Sequence, residues 1–372
     1  MRLTARALNR ATLSRQALLA RESSAVVPMV ERLGGLQAQE PATPYIALWA
    51  RLHDLDAAEL DQALVARDLV KATLHRSTLH LVSTTDYLAS IGALQAVTRT
   101  RWMQEQRGLP VVRGLPELTE ESLAYAQEPR TNVQLRDHAG TLGEPVPADE
   151  LWRRIRRYGA FLHVPGGGPW GYGRRPVQVA ASAWLAQPPD DEAGSLEHVV
   201  RRHLRAFGPA RPADIGQWSG LAIGRLRAGF ERIDEAVRHE DEHGRELWDL
   251  PEMPLPDPDT PAPPRLLPMW DETLLAYADR SRTIPESYRK HVIVKGGDVL
   301  PTFTLDGLVA GLWWAEADNR GSREPRIVLE PFEPLARRER DALEAEGAAL
   351  ARFIAAREPE VYRRYRGTRR RG

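Results

Sequence analysis

An α+β fold, mostly helical, follows from three features of this 372-residue chain. Apolar residues recur at helical spacing over much of its length, the spacing switches to alternation in a few short stretches, and the order of helices followed by a hairpin repeats. That order is the winged-helix plan, in which one helix can enter a groove while the hairpin lies on the phosphate backbone. Three such units in tandem are expected, followed by a C-terminal β-rich element.

The first unit is expected over residues 1–115. Apolar spacing marks helices from Ala5 to Ala20 and from Ser24 to Leu33, and a third from Ala57 to Val65 with Asp56 as its N-cap. From Leu69 to Val82 the period becomes that of two short strands turning around Arg76 and Ser77. In the second unit, residues 116–190, Thr131 opens one helix, Ala148 to Tyr158 supplies another, and Gly159 to Val179 reads as strand, glycine-rich turn, strand. The third, 191–262, has a helix from Leu196 to Phe207, a turn into a second at Pro212 to Leu221, and a hairpin between Ile233 and Leu250. Prolines and acidic residues crowd Pro251 to Pro268, the composition of a linker or rigid extended crossing. The last region, 263–372, should hold strands at Val299–Leu305, Leu308–Ala315 and Arg326–Glu330, a helix from Pro334 to about Arg357, and a basic tail from Arg363 to Arg371.

Composition limits the chemistry. Hydrophobic residues at 42% suffice for packed cores, and the absence of cysteine removes disulfides, thiolate zinc sites, iron–sulfur clusters and a thiol nucleophile. No secretory or membrane-spanning segment is apparent, so a soluble cytoplasmic protein is expected. The formal net charge of zero argues against a uniformly basic nucleic-acid binder while allowing a basic face. Lysine occurs only at Lys71, Lys290 and Lys295, leaving arginine as nearly all the positive charge. His75 and His80 lack the spacing of a helical metal pair, and no metal or other cofactor is expected.

The best clue to chemistry is Gln37 and Gln39, two uncharged amides in an otherwise apolar stretch. Set one residue apart, they point the same way only on an extended backbone, because a helix would turn them about 200° from each other. Pro41 and Pro44 suit an extended exit. Amides take up no proton, yet they orient water and present a carbonyl dipole to developing positive charge, which suits a leaving group that departs easily. On the residues alone, capping carbonyls at a helix end is the plainer role for the pair.

Several segments together change that weighting: Gln37-Ala38-Gln39-Glu40-Pro41 with Pro44-Tyr45 and Leu48-Trp49, Arg76-Ser77-Thr78-Leu79-His80, Phe207-Gly208-Pro209-Ala210 leading to Trp218, and Trp270-Asp271-Glu272-Thr273-Leu274-Leu275 with Asp279-Arg280. In these the chain resembles the AlkZ/YcaQ-type winged-helix DNA glycosylase family, from the N-terminus to about Trp314, and its Gln-x-Gln motif places it on the AlkZ side, with the interstrand-crosslink glycosylases. The resemblance implies a C-shaped arrangement of winged helices and monofunctional removal of alkylated purines, including unhooking of interstrand crosslinks, often for self-resistance in antibiotic producers. It also implies a double-stranded DNA partner carrying alkylated or crosslinked purines. Some relatives carry a carboxylate where this chain has Gln39; if that class sets the mechanism, the missing ionisable base would have to be offset elsewhere.

An N7-alkylated purine is cationic, and its glycosidic bond is already weakened. A dipole beside the oxocarbenium-like sugar and an oriented water then suffice, with Gln39 on the water and Gln37 on the sugar or base, or the reverse. The shortage of lysine argues against a lyase. A crosslinked base cannot enter a snug pocket, so the site should be an open concave surface. DNA contact is expected from Arg76, Thr78 and His80, alternating on one strand face, and from Trp170, Tyr172, Arg174 and Arg175 of the glycine-rich hairpin, which is equally readable as a flexible wing tip. Arg153, Arg154, Arg156 and Arg157 crowd one helix and Arg201, Arg202 and Arg205 another, with phosphate contact expected from one cluster. Asp271 and Glu272 read first as a helix start. A monomer is expected, since three DNA-contacting units in one chain need no partner. The competing reading is a non-catalytic winged-helix regulator or a drug-sequestering resistance protein.

Overall fold

The computed structural model describes every residue except 106–113, 174, 295, 318–323 and 366–372. The chain is α+β, with helices carrying most of its ordered length. Among the described residues no helix is long and apolar enough to cross a membrane.

Local signals set many of the element boundaries. The N-terminal helices run Ala5–Arg15, Val26–Arg32 and Ala57–Val65, and the Asp56 carboxylate accepts from the Ala58 amide as the expected cap. Thr131 and Gln134 close a reciprocal capping box at the helix Asn132–Thr141, which satisfies two amides that the first turn leaves free. Ala148–Tyr158 is helical as its spacing predicts. Several helices depart from expectation, Leu115–Tyr125 and Ile223–Phe230 among them. Ala42–Trp49 is a helix with all eight residues buried, where the prolines suggested an extended exit. Pro44 is its third residue, inside the first turn, where its missing N–H costs no intrahelical bond. Thr84–Glu105 is a 22-residue helix that the reading by period did not mark.

Strand pairing crosses the expected unit boundaries. One six-stranded sheet runs, in spatial order, Leu36–Gln37, Leu79–Ser83, Leu69–Thr73, Phe161–His163, Val177–Ala180 and Arg130–Thr131. The hairpins of residues 1–115 and 116–190 therefore join edge to edge, Lys71 opposite His163 and Ala72 opposite Leu162. Joining them covers two edges that would otherwise present unpaired backbone. Arg2–Leu3 pairs in parallel with Val237–Asp241, tying the N-terminus to the third hairpin. Arg265–Leu267, Thr302–Leu305, Leu308–Glu316 and Arg326–Pro331 form an antiparallel sheet backed by the helix Arg337–Ala355.

The largest apolar core unites residues from Leu13 to Leu81 with residues from Leu266 to Tyr362, so the two ends of the chain fold against each other. A buried arginine, Arg51, fastens that union. The Arg51 guanidinium donates to both oxygens of Asp271 at 2.9 and 2.8 Å and to the carbonyls of Ala47 and Gln16. Arg15 makes the same fork with Asp249 at 2.7 Å on each arm. The planar guanidinium suits this geometry, and removing one partner strands a charge out of water. Arg51→Ala should therefore cost about 3–5 kcal/mol in urea denaturation. A loss below about 1 kcal/mol would show that the pair does not fasten the two ends.

Candidate active site

Gly34 and Gly35, at φ +78° and +89°, turn the chain from the helix Val26–Arg32 into the strand Leu36–Gln37. A Cβ on Gly35 would stand 2.7 Å from Val82 Cγ1, so glycine also lets the strand lie close against Leu79–Ser83. Gln37 then pairs with His80, and the Ala38 amide donates to the Leu79 carbonyl at 2.7 Å. The hairpin turn beyond is tight. Arg76 and Ser77 sit at φ +54° and +60°, a costly conformation for side chains of this kind, and it sends the Arg76 guanidinium back toward Gln37.

Arg76 gathers four segments. Its Nη1 donates to the Trp218 carbonyl at 2.7 Å, and its Nη2 to Glu272 Oε1 at 2.8 Å and Gln37 Oε1 at 3.2 Å. His80 places Nδ1 3.0 Å from the Thr78 carbonyl and Nε2 3.1 Å from the same Glu272 oxygen. His75 is buried and stacks on Trp218 with ring centroids 3.8 Å apart, and burial holds its pKa well below the ordinary histidine value. Burial alone would raise the Glu272 carboxyl, but Arg76 and then His80 outweigh it and hold its pKa near 2. The residues that carried the family resemblance thus meet around one buried carboxylate.

Sequence reasoning placed the two amides together, and the structure separates them. The Gln37 side chain is buried, and because Arg76 can only donate, the Gln37 carbonyl must face it. That oxygen is engaged inside the protein. At Gln39 the chain bends, and its side chain is exposed at a cavity of about 290 Å³. Lys71, Leu79, His163, Tyr172 and Arg175 also line this cavity. Lys71 lies opposite Leu81 and His163, one position out of step with the row of Gln37, His80 and Ala72, so the cavity is on the other face of the sheet from Arg76 and Glu272.

The expected DNA contacts divide. Arg175 is exposed and Tyr172 half-buried, both at the cavity, while Arg174 lies outside the described residues. Trp170 is placed in the interior. It is 2% exposed, packs on Tyr45 and Phe353, and donates from Nε1 to Glu358 at 2.7 Å, so it has no face for a base. His80 is fully buried against Glu272 and touches no surface. The alternation expected of Arg76, Thr78 and His80 fails because the strand begins at Leu79; Arg76 is in the turn, mostly enclosed by its partners, and the half-buried Thr78 donates from Oγ1 to the His75 carbonyl.

Asp271 does start a helix, accepting from the Thr273 amide, and the helix-start reading stops there. Glu272 is the residue it missed, because its partner Arg76 is 196 positions away and nothing local announces the pair. The folded-state pKa of Glu272 lies below its usual 4.5, so its stabilisation is complete above that value and is lost as pH falls toward about 2. Glu272→Gln should lower neutral-pH stability by about 3 kcal/mol in urea melts, with the gap from wild type closing below pH 4.5. A gap unchanged by acid would contradict the assignment.

A family model described as DNA glycosylase AlkZ-like matches residues 30–353. Among solved structures, the Streptomyces sahachiroi DNA glycosylase AlkZ superposes with a TM-score of 0.77 at 21% identity, covering 97% of this chain and 98% of that one. No curated protein matches. The family match spans every segment that converges on Glu272 as well as the Gln39 cavity, and the chain belongs to the AlkZ-like DNA glycosylase family.

Proposed function

We propose that this glycosylase is a monofunctional hydrolase that releases N7-alkylated purines from duplex DNA and unhooks interstrand crosslinks, serving resistance to a DNA-alkylating natural product. The observation that carries this reading is the exposed Gln39 amide at the mouth of an open cavity, within the segment matched by the family. A lesion still joined to the opposite strand needs an approach of this kind, since it cannot be drawn into a closed pocket.

Gln39 is assigned to the sugar and the attacking water. A cationic purine leaves as a neutral base, so the residue at C1′ need only stabilise a transient positive charge and hold the nucleophile. An amide oxygen supplies the first and an amide N–H the second. Gln37 is assigned to support, its carbonyl anchored by Arg76 so that the strand leading to Gln39 has one position.

Tandem winged-helix units over 1–115, 116–190 and 191–262 would carry the duplex, forming the concave side of a C. For phosphate contact the helix Ala148–Tyr158 is favoured over Glu192–Phe207. On the latter, Arg201 is tied to Glu197 and Glu235, and Arg202 to Asp86. Arg153 is exposed on the former. Contacts of this kind give affinity that falls with salt.

Incubating the protein with duplex carrying N7-methylguanine, then cleaving with alkali, should reveal abasic sites; failure on that lesion and on a crosslinked duplex would defeat the reading. Gln39→Ala should slow base release by about 10²-fold while leaving DNA affinity within about twofold. Equal losses in rate and affinity would move Gln39 to a binding role.

A further inference from the structure

Lys71 is 4% exposed, lines the cavity beneath Gln39 and makes no salt bridge among the described residues. Its Nζ stands 4.6 Å from the centroid of the Tyr172 ring. The Tyr172 hydroxyl is buried and has no hydrogen-bond partner among the described residues, and neither end of the buried Gln178 amide has one. Lys71, His163 and Gln178 form one cross-strand row, so they share a face of the sheet. The cavity of about 290 Å³ that Lys71 shares with Gln39 and His163 has room for several waters beside these polar side chains.

We propose that Lys71, as the neutral amine, is the general base that takes a proton from the water attacking C1′, the ionisable function that the Gln39 amide cannot provide. The inference rests on the glycosylase reading above. A water O–H proton passes to Lys71 Nζ and the oxygen bonds C1′. The electron pair of the C1′–N9 bond leaves with the purine and cancels the positive charge created by its N7-alkyl group. The products are an abasic sugar, a neutral N7-alkylpurine and an ammonium that returns its proton to solvent.

The surroundings keep the amine available. Burial pushes the Lys71 pKa down to about 8, against an opposing pull from Glu40. Glu40 is itself engaged by Arg364 and by the Tyr365 hydroxyl, and burial raises its pKa above the usual carboxylate value. His163 stays neutral, its pKa pushed to about 3 by burial, then by Lys71 and Arg156. Burial raises the Tyr172 phenol, so it supplies no phenolate to hold the ammonium, and Arg175 adds positive charge at the rim. A cationic substrate acts in the same direction, since a second cation in the cavity disfavours the ammonium further.

Single-turnover base release from N7-methylguanine duplex, measured from pH 6.5 to 9 with the enzyme-free rate subtracted, should rise through pH 8 and level off. Lys71→Met and Lys71→Arg should lose the rise and be slower by about 10²-fold at pH 8.5, with DNA affinity unchanged. Gln39→Ala should be slower yet keep the rise. A flat profile for the wild type, which needs no variant to fold, would overturn the role of Lys71 while leaving the glycosylase reading intact. So would variants that keep the rise. A wild type releasing no base at any pH would overturn both.

Discussion

The arrangement of this site depends on keeping one carboxylate ionised in a place where water cannot reach it. Glu272 is buried, and an unpaired charge there would cost several kcal/mol. Arg76 and His80 both turn to one of its oxygens, and Arg76 in turn holds the Trp218 and Gln37 carbonyls. Two stretches of chain meet to compensate this charge, and Arg76 draws in two more. The positive φ at Arg76 and Ser77 belongs with this demand, since an unstrained turn would leave the guanidinium without its partners.

Rigidity on one face of the sheet is matched by open chemistry on the other. The strand Leu36–Gln37 is held to Leu79–Ser83 by its backbone and to Arg76 by its side chain, and the chain bends straight afterwards. What emerges at the bend is Gln39, short of freedom because everything before it is fixed. A group that must face a sugar cation gains from such fixation, because reorganisation during the reaction would consume part of its stabilisation. Beneath Gln39 the buried lysine borders a cavity with room for water.

Much of the fold is readable from local rules. Asp56 and Thr131 announce their helices through caps, and the alternation of Leu69 to Val82 announces its hairpin, because those signals act over a few residues. Other features are set by distant partners. Trp170, in a glycine-rich hairpin that reads as a DNA probe, is buried because Tyr45, Phe353 and Glu358 supply a pocket and an acceptor from elsewhere. The edge pairing of Lys71 with His163, which builds the cavity, likewise has no local signature. Of the candidate site, the extended backbone at Gln37 could be read, and the divergence of the two amides could not, since it goes with the bond between Gln37 and Arg76.

The central claim is that the Gln39 face, with its water-holding cavity, receives the sugar. It is tested most directly by the structure of the protein bound to duplex DNA in which one nucleoside is replaced by a cationic pyrrolidine mimic of the oxocarbenium ion. The account predicts the mimic's ammonium against the Gln39 amide oxygen, with a water between it and Lys71. A mimic seated away from that cavity, with Gln39 in bulk solvent, would contradict it.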